Sequence, residues 1–365
     1  MHRLLQKILK ILSKSVIKKY HPVVIGITGS VGKTSTKEAV FAVLKNKFNV
    51  RANDGNFNNE IGFPMAILGL KKPGRFIWIF NILKSLDLLF FKDKNYPEIL
   101  VLEMGADKPG DLDYLIDIAK PKIGLVTAVG ELPVHVEFYS GLEEVAKEKL
   151  KLVQALPSDG FAALNHDDET VLRMKNSGAA KVMTYGFSKD ADIQASDVSY
   201  FLEGSDGVLG GLSFKVNYGK SFVPFRLANA LGRHQIYAAL AAGATGLHLG
   251  MNLVEISQAL EKLEFPKQRM NFIKGIKNSL IIDDSYNASP LSAQAALDTL
   301  KEFGDKVILK TGAGRKIAVL GDMKELGIFT ERAHRLIGNL AGERAEYLFT
   351  VGPAAKFIAD SARRS

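Results

Sequence analysis

The chain has 365 residues, of which 47% are hydrophobic and 24% are charged. This length predicts two domains with cores of their own. The absence of cysteine excludes disulfides and thiolate metal sites. It also gives no sign of secretion, so we expect a cytoplasmic protein. The net charge of +9 is concentrated in residues 1–22, which carry six Lys/Arg and no acidic residue, so a nucleic-acid-binding surface along the whole chain is not expected.

Residues 1–21 are predicted to form a basic amphipathic helix. Apolar residues recur with helical spacing on one face, and the lysines fall mostly on the other (Leu5, Ile8, Leu9, Leu12 and Val16 on the apolar face). Such a helix either lies on an anionic membrane surface or packs its apolar face on the next domain. The interrupting lysines and the lack of a small-residue cleavage site argue against a signal peptide.

A second apolar stretch covers residues 76–91 and is interrupted by Lys84 and Asp87. It falls short of the roughly 20 residues that a membrane-spanning helix needs, so we expect a surface or interfacial helix facing protein or lipid. Peripheral membrane contact through residues 1–22 and 76–91, at the inner face of the membrane, is therefore one hypothesis.

After the tail, predicted strands alternate with predicted helices, which indicates a parallel sheet covered by helices. The strands are expected at 23–28, 99–103, 123–128, 162–165 and 181–185, and the helices at 33–44, 111–119 and 142–156. Residues 190–227 are short segments broken by glycines, which indicates a small β-meander, and helices follow at 235–246 and 253–263.

A domain boundary is predicted near Pro266, where a basic run begins a second α/β unit. Its strands are expected at 279–283, 316–320 and 347–351, and its helices at 291–303, 331–341 and 354–362. The predicted fold is thus α/β: a P-loop central domain with a mostly parallel sheet at 22–265 and a smaller Rossmann-like domain at 266–365, which we expect to be incomplete because it ends soon after a third strand.

The segment GITGSVGKTS at residues 26–35 joins a predicted strand to a predicted helix. Gly29 and Gly32 let the backbone approach phosphate oxygens, and the helix N-terminus adds partial positive charge. Lys33 supplies a cation, and Thr34 a hydroxyl for Mg²⁺. Position 27 is isoleucine, so the loop is the shorter T-G-x-x-G-K-T variant. The sequence predicts that residues Thr28, Gly29, Ser30, Val31, Gly32, Lys33, Thr34 and Ser35 bind ATP.

Polar side chains follow several of the predicted strands, where ligands bind in such sheets. Glu103 ends a strand and is a suitable Mg²⁺ ligand. His135 follows the next strand, and a structural histidine is an equal alternative. Lys149 lies on a helix, where a solvated lysine is the simpler interpretation. Arg269 follows the domain boundary, and the polar cluster 283–287 follows an apolar strand, as an active site between two domains would require.

Several of these residues lie in motifs that resemble those of the Mur ligases, the ATP-dependent amide ligases of peptidoglycan precursor synthesis. The motifs are TGSVGKT at 28–34, GNFNNEIGFP at 55–64, EMG at 103–105, HVEFYS at 135–140, DDSYNASP at 283–290 and VLGDMKELG at 319–327. The resemblance extends over about residues 22–360, and the last two motifs are the most specific, pointing to the members that add a dipeptide.

The resemblance implies a role for each matching residue. Lys33 and Thr34 would hold the phosphates and one Mg²⁺. The metal ligands would be Thr34, Glu103, His135 and Lys149, and Lys149 would bind metal as a carbamate. Arg269 would reach the γ-phosphate, and Lys33, Lys149 and Arg269 would be the catalytic residues. The remaining assignments are nucleotide contacts at Asp284 and Asn287, an adenine pocket at Asn165 and His234, and substrate contacts at Asn58 and Asn59.

The implied reaction converts a substrate carboxylate to an acyl phosphate, which an amine then attacks. The expected cofactors are ATP and Mg²⁺, and the expected partners are a UDP-MurNAc-peptide-like substrate and D-Ala-D-Ala, with the protein a monomer. Only about 22 residues precede the ATP domain, where the family has a UDP-holding domain, so a lipid-linked substrate is an alternative.

Two further departures concern the nucleotide and the end of the chain. The family's G-R-H-N-x-x-N is GRHQIYA here, with Gln235 and Ala238 in place of asparagines, and the last strands and a K-G-S segment would lie beyond residue 365. Two other interpretations stay open: a ligase similar to folylpolyglutamate synthetase, and a catalytically reduced nucleotide-binding module at the membrane.

Overall fold

The computed structural model describes residues 2–55, 57–70, 78–203 and 209–364. In the first part of the chain the helices are α1 His2–Tyr20, α2 Lys33–Leu44, α3 Gly62–Leu68, α4 Trp78–Phe90, α5 Asp111–Ile118, α6 Leu142–Gln154, α7 Glu169–Leu172, α8 His234–His248 and α9 Leu253–Glu261. The strands are β1 Val23–Thr28, β2 Val50–Ala52, β3 Ile99–Glu103, β4 Ile123–Val126, β5 Phe161–Asn165, β6 Lys181–Gly186, β7 Ile193–Glu203, β8 Leu209–Tyr218 and β9 Ser221–Ala228.

These nine strands form one sheet in the order β2-β3-β1-β4-β5-β6-β7-β8-β9. The pairs from β2 to β7 are parallel, and β7, β8 and β9 pair antiparallel, which confirms the mostly parallel sheet and the meander that the sequence predicts. Successive side chains of β1 alternate between two cores: Ile25 and Ile27 face α2, α8 and α9, and Val24 faces α5 and α6. Helices cover both faces. Because the strands from β2 to β7 are parallel, their carboxyl ends lie at one edge of the sheet.

Helix α1 packs its apolar face on the central domain, as one of the two interpretations predicts. Leu9, Leu12 and Val16 are buried against α3 and α4. The ε-amine of Lys19 and the hydroxyl of Tyr20 donate to carbonyl oxygens at the end of α4. The apolar stretch 76–91 begins at residues outside the described part, and its described part is α4. No described helix has the length and apolar character that crossing a membrane requires.

The C-terminal domain opens with a hairpin. It contains β10 Asn271–Lys274, β11 Leu280–Asp283, α10 Pro290–Thr311, β12 Ile317–Gly321, α11 Thr330–Arg344, β13 Tyr347–Val351 and α12 Lys356–Ala362. β10 and β11 pair antiparallel, and β12 and β13 pair parallel in a separate sheet. Its core lies between β12, β13 and the three helices. The smaller C-terminal α/β domain is therefore confirmed, with its described strands divided between two small sheets.

Candidate functional site

A cleft of about 1810 Å³ lies between the two domains, at the edge where the parallel strands end. The central domain lines it with the phosphate loop and the residues after β3, β4 and β5, and the C-terminal domain lines it with Arg269 and the segment after β11. Most of the predicted site residues meet here (Ser30, Val31, Gly32, Lys33, Thr34, Ser35, Asn58, Asn59, Glu103, His135, Asn165, His234, Arg269, Asp284 and Asn287). Thr28, Gly29 and Lys149 do not line it.

The phosphate loop runs from β1 into α2 with two glycines in left-handed or otherwise glycine-favouring backbone conformations. Gly29 has φ 144° and Gly32 has φ 83°. A Cβ at Gly29 would overlap the hydroxyl of Thr127, so this position requires glycine for space as well as for conformation. The amides of Ser30 and Val31 donate to the carbonyl of Ala128. The amides of the first turn of α2, which have no partner within the helix, remain available for an anion.

Lys33 is a half-buried lysine at the mouth of this loop. Its ε-amine donates to the carbonyl of Gly29 at 2.8 Å and to that of Ser30 at 3.3 Å. Burial lowers its pKa, while the carboxylates of Glu103 and Asp107 oppose that shift. A polyanion in the loop would offer this ammonium stronger acceptors than two neutral carbonyls, so Lys33 is suited to bind phosphate.

Glu103 ends β3 with its carboxylate buried in the cleft. One oxygen accepts from the hydroxyl of Thr34 and the other from the side-chain amide of Asn58, both at 2.9 Å. The Glu103 backbone N–H donates to Asn53, which ties the metal candidate to the loop that carries Asn58. A carboxylate and a hydroxyl are hard oxygen donors of the kind that Mg²⁺ prefers. The donors present therefore fit Mg²⁺.

His135 lies between two carboxylates in the loop after β4. Its Nε2 is 3.3 Å from Asp107, and its Nδ1 is 2.6 Å from Glu325 of the C-terminal domain. Burial lowers the pKa of the imidazole, which favours the neutral form that a metal requires. No group of three or more His, Asp or Glu side chains in the described part of the chain is placed to hold a metal alone. Mg²⁺ here would thus be completed by phosphate oxygens and water.

Lys149 is buried in α6, beneath the cleft wall, rather than solvated. Its ε-amine is 3.5 Å from the carbonyl oxygen of Ala106. Burial, followed by the positive charge of Lys33, lowers the pKa of Lys149 from 10.5 to about 7. The solvated-lysine interpretation is wrong, because the side chain of Lys149 is only 1% exposed. A partly neutral amine is the form that can react with CO₂.

Arg269 reaches the phosphate loop from the C-terminal domain. Its guanidinium donates to the hydroxyl of Thr34 at 3.3 Å and lies over the ring of Tyr286 at 4.2 Å. The residues on either side of Arg269, Gln268 and Met270, both have positive φ, which is unusual for side chains of this size. The backbone is thus held in an uncommon conformation that directs Arg269 toward the loop.

Asp284 fixes this segment from β11. Its carboxylate accepts from the amide of Met270 at 3.2 Å. Burial raises the pKa of Asp284 to about 6. Asn287, three residues further on, uses its side-chain oxygen to accept from the amide of Ala288. Asp284 therefore holds the arginine segment in place, whereas Asn287 lines the cleft with its amide group.

Asn165 and His234 line the cleft at the end of β5 and the start of α8. The Asn165 side-chain oxygen accepts from the amide of Asp167 at 3.1 Å. Burial lowers the pKa of His234 to about 4, so its ring is neutral at physiological pH. Gln235 donates to the carbonyl of Arg269 at 3.2 Å, and so links α8 to the domain boundary.

Sequence reasoning missed two charged residues of this site. Asp107 lines the cleft and acts electrostatically on Lys33, His135 and Lys149. Its position four residues past Glu103, beyond a strand end, is a signal that could have found it. Glu325 lies 190 positions from His135 along the chain, and no local pattern pairs them.

Two family descriptions match the two halves of the chain. The Mur ligase middle domain matches residues 27–246, and the Mur ligase, glutamate ligase domain, matches residues 268–365. The chain therefore belongs to the Mur ligase family.

Relatives with known names indicate which members of the family the chain resembles. The chain is 32% identical over 352 residues to the UDP-N-acetylmuramoyl-tripeptide–D-alanyl-D-alanine ligase of Bacillus subtilis, which covers 96% of this chain and 67% of that protein. The Escherichia coli ligase of the same name is 30% identical, and the match covers 87% of this chain and 62% of that protein. The chain thus spans about two thirds of the length of these relatives.

Solved structures agree with the sequence relatives. MurF from Acinetobacter baumannii superposes with a TM-score of 0.79 at 26% identity, over 97% of this chain and 69% of that chain. MurF ligase from Thermotoga maritima, in complex with ADP, superposes with a TM-score of 0.77 at 27% identity. The superposition covers 97% of this chain and 72% of that chain. The two-domain arrangement described here is thus similar to that of MurF.

Proposed function

We propose that this protein is an ATP-dependent ligase that joins a peptide carboxylate to an amine through an acyl phosphate. The observation that carries the proposal is the approach of Arg269 to Thr34 across the cleft. It gathers two cations, Arg269 and Lys33, around the phosphate loop. Two fixed cations at that position favour phosphoryl transfer, which depends on positioning and charge neutralisation.

The chemistry divides among the residues of the cleft. The first turn of α2 and Lys33 would hold the phosphates of ATP, and Arg269 would bind the transferred group as its charge spreads over the oxygens. Bound Mg²⁺, held by Thr34 and Glu103, would neutralise further negative charge. The substrate carboxylate forms a bond to the γ-phosphorus as the bond to ADP breaks. The amine then bonds to the acyl carbon, loses a proton, and releases phosphate.

Lys149 is proposed to act as a carbamate. The neutral ε-amine would add to CO₂ and lose a proton, which converts a buried base into an anion. A buried anion beside Lys33 is better compensated than a buried ammonium beside the same cation. His135 and this carbamate would provide the ligands of a second metal ion.

The proposed substrates are those in the printed names of the relatives: a UDP-MurNAc-tripeptide, which supplies the carboxylate, and D-Ala-D-Ala, which supplies the amine. Asn58 and Asn59 line the cleft, where Asn58 donates to Glu103, and both side chains are proposed to contact the carboxylate substrate. The protein is proposed to act as a monomer, since both halves of the cleft come from one chain.

Phosphate release from ATP–Mg, with UDP-MurNAc-tripeptide present, tests this function. We expect release that depends on D-Ala-D-Ala, that Lys33→Ala reduces by about 100-fold or more, and that Lys45→Ala, at the exposed end of the same helix, leaves unchanged. Turnover with folate and glutamate instead would favour the folylpolyglutamate-type alternative. ATP binding with no turnover on any of these substrates would leave a nucleotide-binding module and contradict the proposal.

A second proposal concerns peripheral contact with an anionic membrane, at its inner face. Phe90 and Phe91 at the end of α4 are 78% and 69% exposed, and Leu83 is 55% exposed on the same helix. On the adjacent helix α1, Leu4 and Ile11 are exposed on a stripe that also carries Lys7, Lys14 and Lys18. Apolar side chains among lysines fit the boundary between acyl chains and anionic headgroups. On this outer stripe Leu4, Lys7 and Ile11 are exposed for such contact, whereas Lys14 pairs with Asp117 of α5.

A further inference from the structure

Lys37 is a fully buried lysine on α2, about one turn after Lys33. Its ε-amine donates to the carbonyl of Asn53 at 2.5 Å and lies 3.5 Å from the carbonyl oxygen of Gly55. It also forms an ion pair with Glu38 at 2.9 Å. Lysine is almost never fully buried unless it is paired. These oxygens, rather than water, therefore hold the amine in place.

The carbonyls that Lys37 contacts belong to the loop that follows β2. We call it the asparagine loop, and its described residues are 53–55 and 57–59. Asn53, which is buried, donates from its side-chain amide to the carbonyl of Phe57 at 2.8 Å. Its side-chain oxygen accepts from the backbone N–H of Glu103, also at 2.8 Å. Asn53 thus joins Lys37 on α2 to the end of β3.

The far end of the asparagine loop is attached to β3 and to α3. Asn58 donates from its side chain to the carboxylate of Glu103, and its carbonyl accepts from the amide of Gly105 at 3.1 Å. A Cβ at Gly105 would come within 3.0 Å of that carbonyl oxygen, so the backbones approach closely here. The side-chain oxygen of Asn59 accepts from the amide of Gly62 at the start of α3. Both asparagines are consequently held at their backbone as well as by their side chains.

Helix α2 contacts this assembly through two side chains one turn apart. Thr34, in the first turn, donates to the carboxylate oxygen of Glu103 that Asn58 does not use. Lys37, in the next turn, bonds the beginning of the asparagine loop. The helix that starts at the phosphate loop therefore supports the metal candidate directly and the asparagine loop through Lys37.

We infer that Lys37 is a positioning residue, which fixes the asparagine loop on α2 so that Asn58 and Asn59 are presented to the carboxylate substrate. The inference rests on the substrate role proposed above for these two asparagines. Asn58 and Asn59 line the cleft, whereas Lys37 does not. Lys37 therefore acts on the substrate only through the loop. Its removal should change the binding of the carboxylate substrate more than that of ATP, which the phosphate loop holds.

The test compares the Michaelis constants of the two substrates in the full chain. Lys37→Met takes the charged donor away from buried carbonyls, so we expect KM for UDP-MurNAc-tripeptide to rise about tenfold. KM for ATP should change by less than about twofold. Lys37→Gln keeps N–H donors at a shorter reach and should recover part of the loss. Lys45→Met, at the exposed C-terminal end of α2, is the matched control and should change neither constant.

Hydrogen exchange measures the position of the loop independently of turnover. The amides of Glu103 and Gly105 are bonded to the asparagine loop. Lys37→Met should therefore accelerate exchange at residues 53–59 and 103–105 by about tenfold, while the buried strand β5 keeps its protection. Should Lys37→Met fail to fold, Lys37→Gln gives the same comparison.

A double-substitution cycle separates positioning from a general loss of stability. If Lys37 acts through Asn58, Lys37→Met should raise KM for the tripeptide substrate much less in an Asn58→Ala variant than in the native protein. Fully additive effects, or equal rises of both Michaelis constants with unchanged loop exchange, would overturn the inference. If the native protein does not turn over the tripeptide substrate at all, the proposed function fails. Exchange then decides the positioning of the loop alone, and unchanged exchange at residues 53–59 refutes it.

Discussion

The charge state of Lys149 depends on its surroundings as well as on its being a lysine. A lysine on a helix is ordinarily charged and solvated, and the sequence alone favours that interpretation. Burial in α6, with Lys33 nearby, instead brings its pKa to about 7. The pattern of residues locates Lys149, but its chemistry depends on which groups surround it in space.

A carbamate at Lys149 should therefore depend on pH in a defined direction. Only the neutral amine adds CO₂, so the ¹³C signal of a carbamate formed from labelled bicarbonate should increase as pH rises through about 7 and decrease below it. Lys149→Ala should remove this signal and lower turnover by about 100-fold or more. Lys120→Ala, at an exposed lysine that does not line the cleft, should retain both. A signal that survives Lys149→Ala would refute the assignment.

At the level of elements, the sequence predicts the helices and strands that have a clear apolar pattern. The parallel strands, their helices and the meander are found near their predicted positions, because burial on both faces gives each strand a continuous apolar run. The strand β10 was not predicted, since Asn271 and Lys274 at its ends give it no alternating pattern. Helix α10 continues to Thr311, well past the predicted end at 303, until Gly312 ends it in a left-handed conformation.

The outward stripes of α1 and α4 yield a prediction at the same scale. Replacing Phe90 and Phe91 by serine should lower flotation with phosphatidylglycerol-containing vesicles by about tenfold or more, because each inserted Phe contributes roughly 1.5–3 kcal/mol. Both side chains are exposed, so the fold should be unaffected. Val254→Ser, at a similarly exposed apolar position on α9, is the control. Equal flotation of the double variant and the native protein would argue against membrane docking through α4.

For the whole molecule, the site arises from contacts that span long stretches of chain. Arg269 meets Thr34, and Glu325 meets His135, from positions far apart in sequence. Strand order explains why polar residues accumulate at one edge of a sheet, so most lining residues of the cleft could be predicted. Which of them touch across the cleft depends on how the domains pack, and no local pattern specifies that.

The central claim is that a substrate carboxylate receives the γ-phosphate, and oxygen transfer tests it most directly. UDP-MurNAc-tripeptide labelled with ¹⁸O in its terminal carboxylate is incubated with ATP–Mg, D-Ala-D-Ala and the protein, and the released phosphate is analysed by mass spectrometry. An acyl phosphate leaves one carboxylate oxygen on each phosphate, so the account predicts one ¹⁸O per phosphate when the label is complete. Amide product formed with unlabelled phosphate would contradict it.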